Sequence, residues 1–150
     1  MGLVLTDEIV DLVNGALASG NAMLLAAITV EGKPRMSYRG SLQALSGDQL
    51  SFWVRRVEGA TLEGIKVNPE VALMYRDQGK RILLQFAGRA RLVTDPEERD
   101  RVYAAAPEIE QRADPERKGE GVVIDLDRVE GMLGLNAEGR PNFVRLSRDD

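Results

Sequence analysis

Apolar and polar positions alternate along this chain with two different periods, and the switches between them mark out its elements. Behind Thr6, Asp7 and Glu8, the residues Ile9, Val10, Leu12, Val13, Ala16 and Leu17 recur at helical spacing. This predicts an amphipathic helix capped by Thr6 and ending near Gly20. "AMLLAAITV" (Ala22 to Val30) is a short apolar run with a β-branched end, and "EGKP" after it is a turn signal, so the run reads as a strand that opens a first hairpin. Arg35 to Leu45, the turn Ser46 to Asp48, and Gln49 to Val54 read as a second hairpin, with Leu50, Phe52 and Val54 on one face.

The rest of the chain divides in the same way. "GATLEGIKVNP" predicts a short helix stopped at Asn68, because the residue before a proline is pushed out of the α region. "EVALMYR" and "RILLQFAGRARLV" follow as strands joined by "DQGK", with a bulge or bend expected at Gly88. Thr94 and Glu97 have the spacing of a capping box and start a helix that Pro107 closes. "QRADPERKGEG" (Gln111 to Gly121) is charged and turn-rich and reads as a mobile loop, while "VVIDLDRVEGML" and "NFVRL" supply the last strands. At least six strands with a few helices between them predict a mainly β fold, a β-barrel with peripheral helices, over one domain spanning residues 1–150.

Composition narrows the chemistry. The chain is 43% hydrophobic and 29% charged, as in a globular protein, and its formal net charge of −4 argues against non-specific binding to nucleic acid. The start lacks a basic segment followed by a long apolar run, and no stretch approaches the roughly 20 apolar residues of a membrane helix. The expected location is cytoplasmic, with no membrane partner. The chain has no Cys and no His, which removes thiol nucleophiles, thiolate metal sites, Ser-His-Asp chemistry and the commonest metal ligand. No metal site is expected, and an enzyme of this composition would rely on carboxylates, Lys, Tyr or a cofactor.

Two phosphate-binding patterns can be set aside. Gly59 and Gly64 have P-loop spacing, but Ile65 separates Gly64 from Lys66 and no hydroxyl follows the lysine. No G-x-G-x-x-G follows a strand, so a dinucleotide fold has no support. The carboxylates Asp95, Glu97, Glu98 and Asp100 crowd a helix N-terminus, where the macrodipole favours acids without any catalytic role.

"PRMSYRGSLQALSGDQLSFWVRR" is different, because Arg35, Ser37, Arg39, Arg55 and Arg56 are of the types that hold a phosphate. Arg35, Ser37 and Arg39 share one strand face and Met36 and Tyr38 the other. Amides at the start of the short helix, near Ala60 and Thr61, would add to an anion site. Composition and spacing fit a solvated sheet edge as well as an anion site. Tyr38, Phe52 and Trp53 fit core filling as well as a stacking surface.

In their order, "GKPRMSYRG", "DQLSFWVRR", "GATLEGIKVNPEVALMY" and "FAGRARLV" resemble the pyridoxamine 5′-phosphate oxidase-like family of FMN-binding split β-barrels. The resemblance implies a homodimer with FMN between its subunits, acting as an oxidoreductase on a small molecule. It also implies cofactor contacts from Arg35, Met36, Ser37, Tyr38 and Arg39, from Trp53, Val54 and Arg55 on the adjoining strand, and from Thr61 and Leu62 at the helix start. The absence of His and Cys fits, since the flavin carries the redox chemistry. The chain departs from the family pattern at Thr61, where a basic residue is usual, and at Gly40, with Arg39 one place early. The residues that grip pyridoxamine phosphate have no counterpart in "NAEGRPNFVRL", so a different substrate is expected. Deazaflavin F420 as the cofactor, and a non-enzymatic flavin-binding dimeric module, are the alternatives on the same fold.

Overall fold

The structure, a computed structural model, describes residues 2–55 and 59–149. It is mainly β. Among the described residues, eight strands form one antiparallel sheet: β1 (Met23–Ile28), β2 (Pro34–Arg39), β3 (Gln43–Ser46), β4 (Gln49–Val54), β5 (Glu70–Asp77), β6 (Ile82–Leu92), β7 (Glu120–Leu135) and β8 (Pro141–Ser147). Their spatial order is β2-β1-β5-β6-β7-β4-β3, and β8 adds to the free length of β7.

Alternation sets the inner face. β1 and β6 bury every second residue, placing Met23, Leu25, Ala27, Ile82, Leu84, Phe86 and Ala90 inside. These pack in one core with Leu50, Phe52 and Val54 of β4, although β1 and β4 lie far apart in the strand order. A flat sheet could not join them, so this sheet curls on itself. The chain shows the closure directly: only Gly40, Ser41 and Leu42 separate β2 from β3, the two outermost strands of the order. At about 3.6 Å per extended residue, the two edges must lie close together.

This crossing corrects the single arm read from Arg35 to Leu45. That stretch is two strands: β2 pairs with β1 (Met23 opposite Arg39) and β3 pairs with β4 (Gln43 opposite Ser51). Leu42 is buried, and the Ser41 hydroxyl donates to the Trp53 carbonyl at 2.9 Å and accepts from the Trp53 amide at 3.0 Å. The serine thereby takes the place of a ladder partner.

Among the described residues, four helices lie outside the sheet. α1 (Asp7–Asn14) is capped as expected, Thr6 Oγ1 accepting from the Ile9 amide at 3.3 Å, and buries Ile9 and Val13. It stops at Gly15, earlier than expected, and residues up to Gly20 form turns. α2 (Ala60–Val67) ends at Asn68, which is extended (φ −133°) as the following proline demands. Its Gly64 lies so close to β1 that a side-chain carbon there would run into the Ile28 carbonyl. The expected bulge is present, with a register shift between Ala87 and Gly88 opposite β7.

α3 (Pro96–Ala105) is capped by Asp95, which accepts from the Glu98 amide at 2.9 Å, and not by Thr94. Pro96, with no amide hydrogen and its φ already helical, takes the first helical position and moves the cap next to itself. The stretch 111–121, read as a mobile loop, begins inside α4 (Glu108–Ala113) and then folds around the buried Asp114. α3 and this segment cover the outer face of β4 and β7, forming a second small core of Trp53, Val93, Val102, Tyr103, Ala106 and Val123. No helix among the described residues is long and apolar enough to cross a membrane.

Candidate functional site

Where the chain crosses from β2 to β3, the end of β2 meets the end of β4 and leaves a cleft of about 360 Å³. Its walls are Tyr38 and Arg39 from β2, Gly40 and Ser41 from the crossing, Trp53, Val54 and Arg55 from β4, and Glu110 from α4.

Arg39 is the unusual member. Its guanidinium carbon stands 5.3 Å from the centre of the Phe52 ring, so the side chain lies across the barrel's end rather than in solvent. Its Nε is buried and meets no acceptor among the described residues. Burial, and after it the nearby charge of Arg35, hold the Arg39 guanidinium below its ordinary pKa. A half-buried guanidinium with an unmet donor, on the wall of an open cleft, is of the chemical type that pairs with an anion. Arg55, on the opposite wall, has Glu110 Oε2 at 3.4 Å from its Nε.

Trp53 forms the rigid side of the cleft. Its indole N–H donates to Asp114 Oδ2 at 2.8 Å, Arg99 stacks over its ring at 4.9 Å, and Tyr103 meets it edge-on at 5.0 Å. Asp114 also accepts from the amides of Lys118 (3.0 Å) and Gly119 (2.8 Å). Burial alone would raise the Asp114 carboxyl, but the indole, the two amides and the Arg99 charge together bring it below the ordinary range.

Five of the residues picked out from the sequence come together here: Tyr38, Arg39, Trp53, Val54 and Arg55. The others do not line the cleft. Arg35 is exposed at the far end of β2, opposite Ala27. Ser37 is half-buried on the same strand face as Arg39, while Met36 projects from the other face, 67% exposed. Thr61 and Leu62 are buried on the inner side of α2, where Leu62 belongs to the main core. Arg56 lies outside the described residues. Glu110 and Ser41 were not singled out in the sequence. Glu110 sits in a short charged helix with no apolar period to orient it, and nothing local relates it to Arg55.

A second surface runs over the outside of the sheet. Tyr38, Leu24 and Met74 stand side by side in register across β2, β1 and β5, and Leu83, Met132 and Phe143 do so across β6, β7 and β8. Tyr38 is 72% and Phe143 76% exposed. No group of carboxylates among the described residues is placed to hold a metal ion.

The sequence model of the family Pyridoxamine 5′-phosphate oxidase matches residues 5–132. Among curated proteins, none matches the sequence at a significant level. Several solved structures share the fold. HupZ of Group A Streptococcus superposes with a TM-score of 0.64 at 20% identity, over 89% of this chain and 98% of its own. A Clostridium acetobutylicum protein of the pyridoxinephosphate oxidase family, related to general stress protein 26 of B. subtilis, has a TM-score of 0.65 at 11% identity, over 97% and 98%. A heme binding protein from Mycobacterium smegmatis has a TM-score of 0.63 at 18% identity, over 87% of this chain and 55% of its own. At these identities the likeness establishes the split-barrel fold alone.

Proposed function

The chain belongs to the pyridoxamine 5′-phosphate oxidase family, and we propose that it is an FMN-binding oxidoreductase of that family, a homodimer acting on a small molecule. The observation that carries this reading is Arg39, on the wall of the cleft, whose buried Nε meets no acceptor among the described residues. A phosphate in the cleft would neutralise the charge of the Arg39 guanidinium, which burial makes costly. Arg55 would supply the second cation, and Trp53, held by Asp114, a fixed wall. A bound flavin would supply two-electron chemistry. The protein's part is to grip the phosphate, orient the cofactor and keep water from one side of it.

Two features support a dimer. A cleft of about 360 Å³ lies near the lower end of the about 300–1,000 Å³ usual for ligand sites, so one chain would enclose little more than the phosphate end. The apolar outer face bearing Tyr38 and Phe143 is of the kind that soluble proteins cover. A heme reading, suggested by the mycobacterial neighbour, is disfavoured by the sequence. With no His and no Cys, the two commonest side-chain axial ligands of haem iron are missing from the chain.

Titration of the purified protein with FMN, followed by quenching of flavin fluorescence, tests the reading, with F420 and hemin titrated in parallel. Saturable FMN binding that Arg39→Met weakens at least tenfold is the expected result. Saturation by hemin or F420 with no response to FMN would overturn it. Oxidation of NAD(P)H by the FMN-loaded protein in the presence of an electron acceptor then separates an enzyme from a binding module.

A further inference from the structure

The cleft already contains an anion of its own. Glu110 stands between the two strand ends that carry the cations. Its Oε2 lies 3.4 Å from Arg55 Nε, and its Oε1 lies against the backbone of Gly40, the residue after Arg39, where a side-chain carbon would come within 3.6 Å of it. The Glu110 side chain is 19% exposed, whereas Glu108, two residues earlier, is 76% exposed and turned outward onto Arg112. Of the carboxylates on α4, only Glu110 lines the cleft.

We propose that Glu110 is an internal competitor for the cleft's ligand, holding Arg55 until the ligand's own anion displaces it. This rests on the reading of the cleft as an anion site. Three observations support it. Arg55 is 55% exposed, so its pair with Glu110 is weak and exchanges with little loss. α4 buries none of its residues, so the Glu110 side chain can turn outward without opening the core. With Glu110 in place Arg55 is paired, and with Glu110 turned out the described lining of the cleft holds Arg39 and Arg55 and no carboxylate. A singly charged carboxylate would do no better at Arg55 than Glu110 does. A dianionic phosphate monoester gains from both cations and displaces it.

The experiment compares the parent protein with Glu110→Gln, Glu108→Gln and Arg55→Ala, and with the double variant Arg55→Ala/Glu110→Gln. FMN binding is read from flavin fluorescence and inorganic phosphate binding from the emission of Trp53, the chain's single tryptophan, which lines the cleft. Glu110→Gln should tighten binding about fivefold, the upper range for an exposed ion pair. Glu108→Gln removes the same charge outside the cleft and should change affinity less than about twofold. In the Arg55→Ala background the gain from Glu110→Gln should fall below about twofold, because there is no pair left to break.

Equal affinity in parent and Glu110→Gln, or an equal gain in Glu108→Gln, overturns the proposal while FMN binding stands. A phosphate response strengthened by Glu110→Gln, in protein that ignores FMN, upholds the competitor and overturns the FMN reading. Absence of any response to either anion in the parent and in Glu110→Gln overturns both.

Discussion

Replacing Asp114 by alanine should loosen the whole cover of the cleft, and the size of the effect follows from its hydrogen bonds. The carboxylate is buried, 8% exposed, and accepts from Trp53 Nε1, the Lys118 amide and the Gly119 amide at 2.8–3.0 Å. In Asp114→Ala the indole N–H and the Gly119 amide become buried donors without acceptors, at roughly 1–3 kcal/mol each. The Lys118 amide is only partly buried and can turn to water. A total loss of about 3 kcal/mol is expected, a large share of the roughly 5–15 kcal/mol that stabilises a domain. For a chain of this size it corresponds to a fall in Tm of about 6–12 °C. Urea unfolding followed by Trp53 emission and by far-UV circular dichroism measures it. Asp114→Asn keeps the shape but not the charge, and tests the pH dependence. The native carboxyl lies below its unfolded value of about 3.9, so its contribution is complete above that value and is lost as pH falls through the lower native one. The stability gap between parent and Asp114→Asn should therefore be constant above about pH 5 and close on acidification below about pH 4. An Asp114→Ala protein within about 0.5 kcal/mol of the parent at pH 7, or a gap that does not change with acid, would refute the reasoning.

Arg39→Met should separate binding from stability: FMN affinity falls at least tenfold, while stability in urea stays level or rises by up to about 1 kcal/mol, since a half-buried cation with an unmet donor has been removed. Gly64→Ala should lower Tm despite alanine's better helix propensity, by the equivalent of about 2 kcal/mol or more, because its methyl group meets the Ile28 carbonyl and lifts α2 from β1. Phe143→Glu should leave monomer stability within about 0.5 kcal/mol and shift sedimentation toward the monomer, since the ring is 76% exposed on the apolar outer face. Unchanged self-association would count against that face as the dimer contact.

Much of the fold was readable residue by residue. Thr6 capping α1, Asn68 ending α2 before Pro69, the bulge at Gly88 and the alternation along β6 are effects of near neighbours. They follow from caps, proline sterics and the two-residue period of a strand, which act over a few residues. The same holds for Arg39 and Arg55 as candidate anion ligands, since the guanidinium type is informative by itself. Where two local signals competed, the reading slipped by a residue: Thr94 and Asp95 are both capping types, and Pro96 decided between them.

Other features depend on groups far apart in the chain. "GSLQAL" alternates as a strand would, yet Gly40 to Leu42 leave the sheet at one edge and re-enter at the other, because the curled barrel brings those edges together. The charged segment 111–121 looked solvated, but Asp114 found the indole of Trp53, 61 residues earlier, and became a buried acceptor. Glu110 met Arg55 for the same reason. Thr61 and Leu62 turned inward because α2 packs its inner side on the core. Local chemistry thus decided which segments become strands and helices and which residues can hold an anion. Closure of the barrel, which depends on burying apolar side chains from distant strands in one core, decided which of those residues face a common cleft and which acid stands among them.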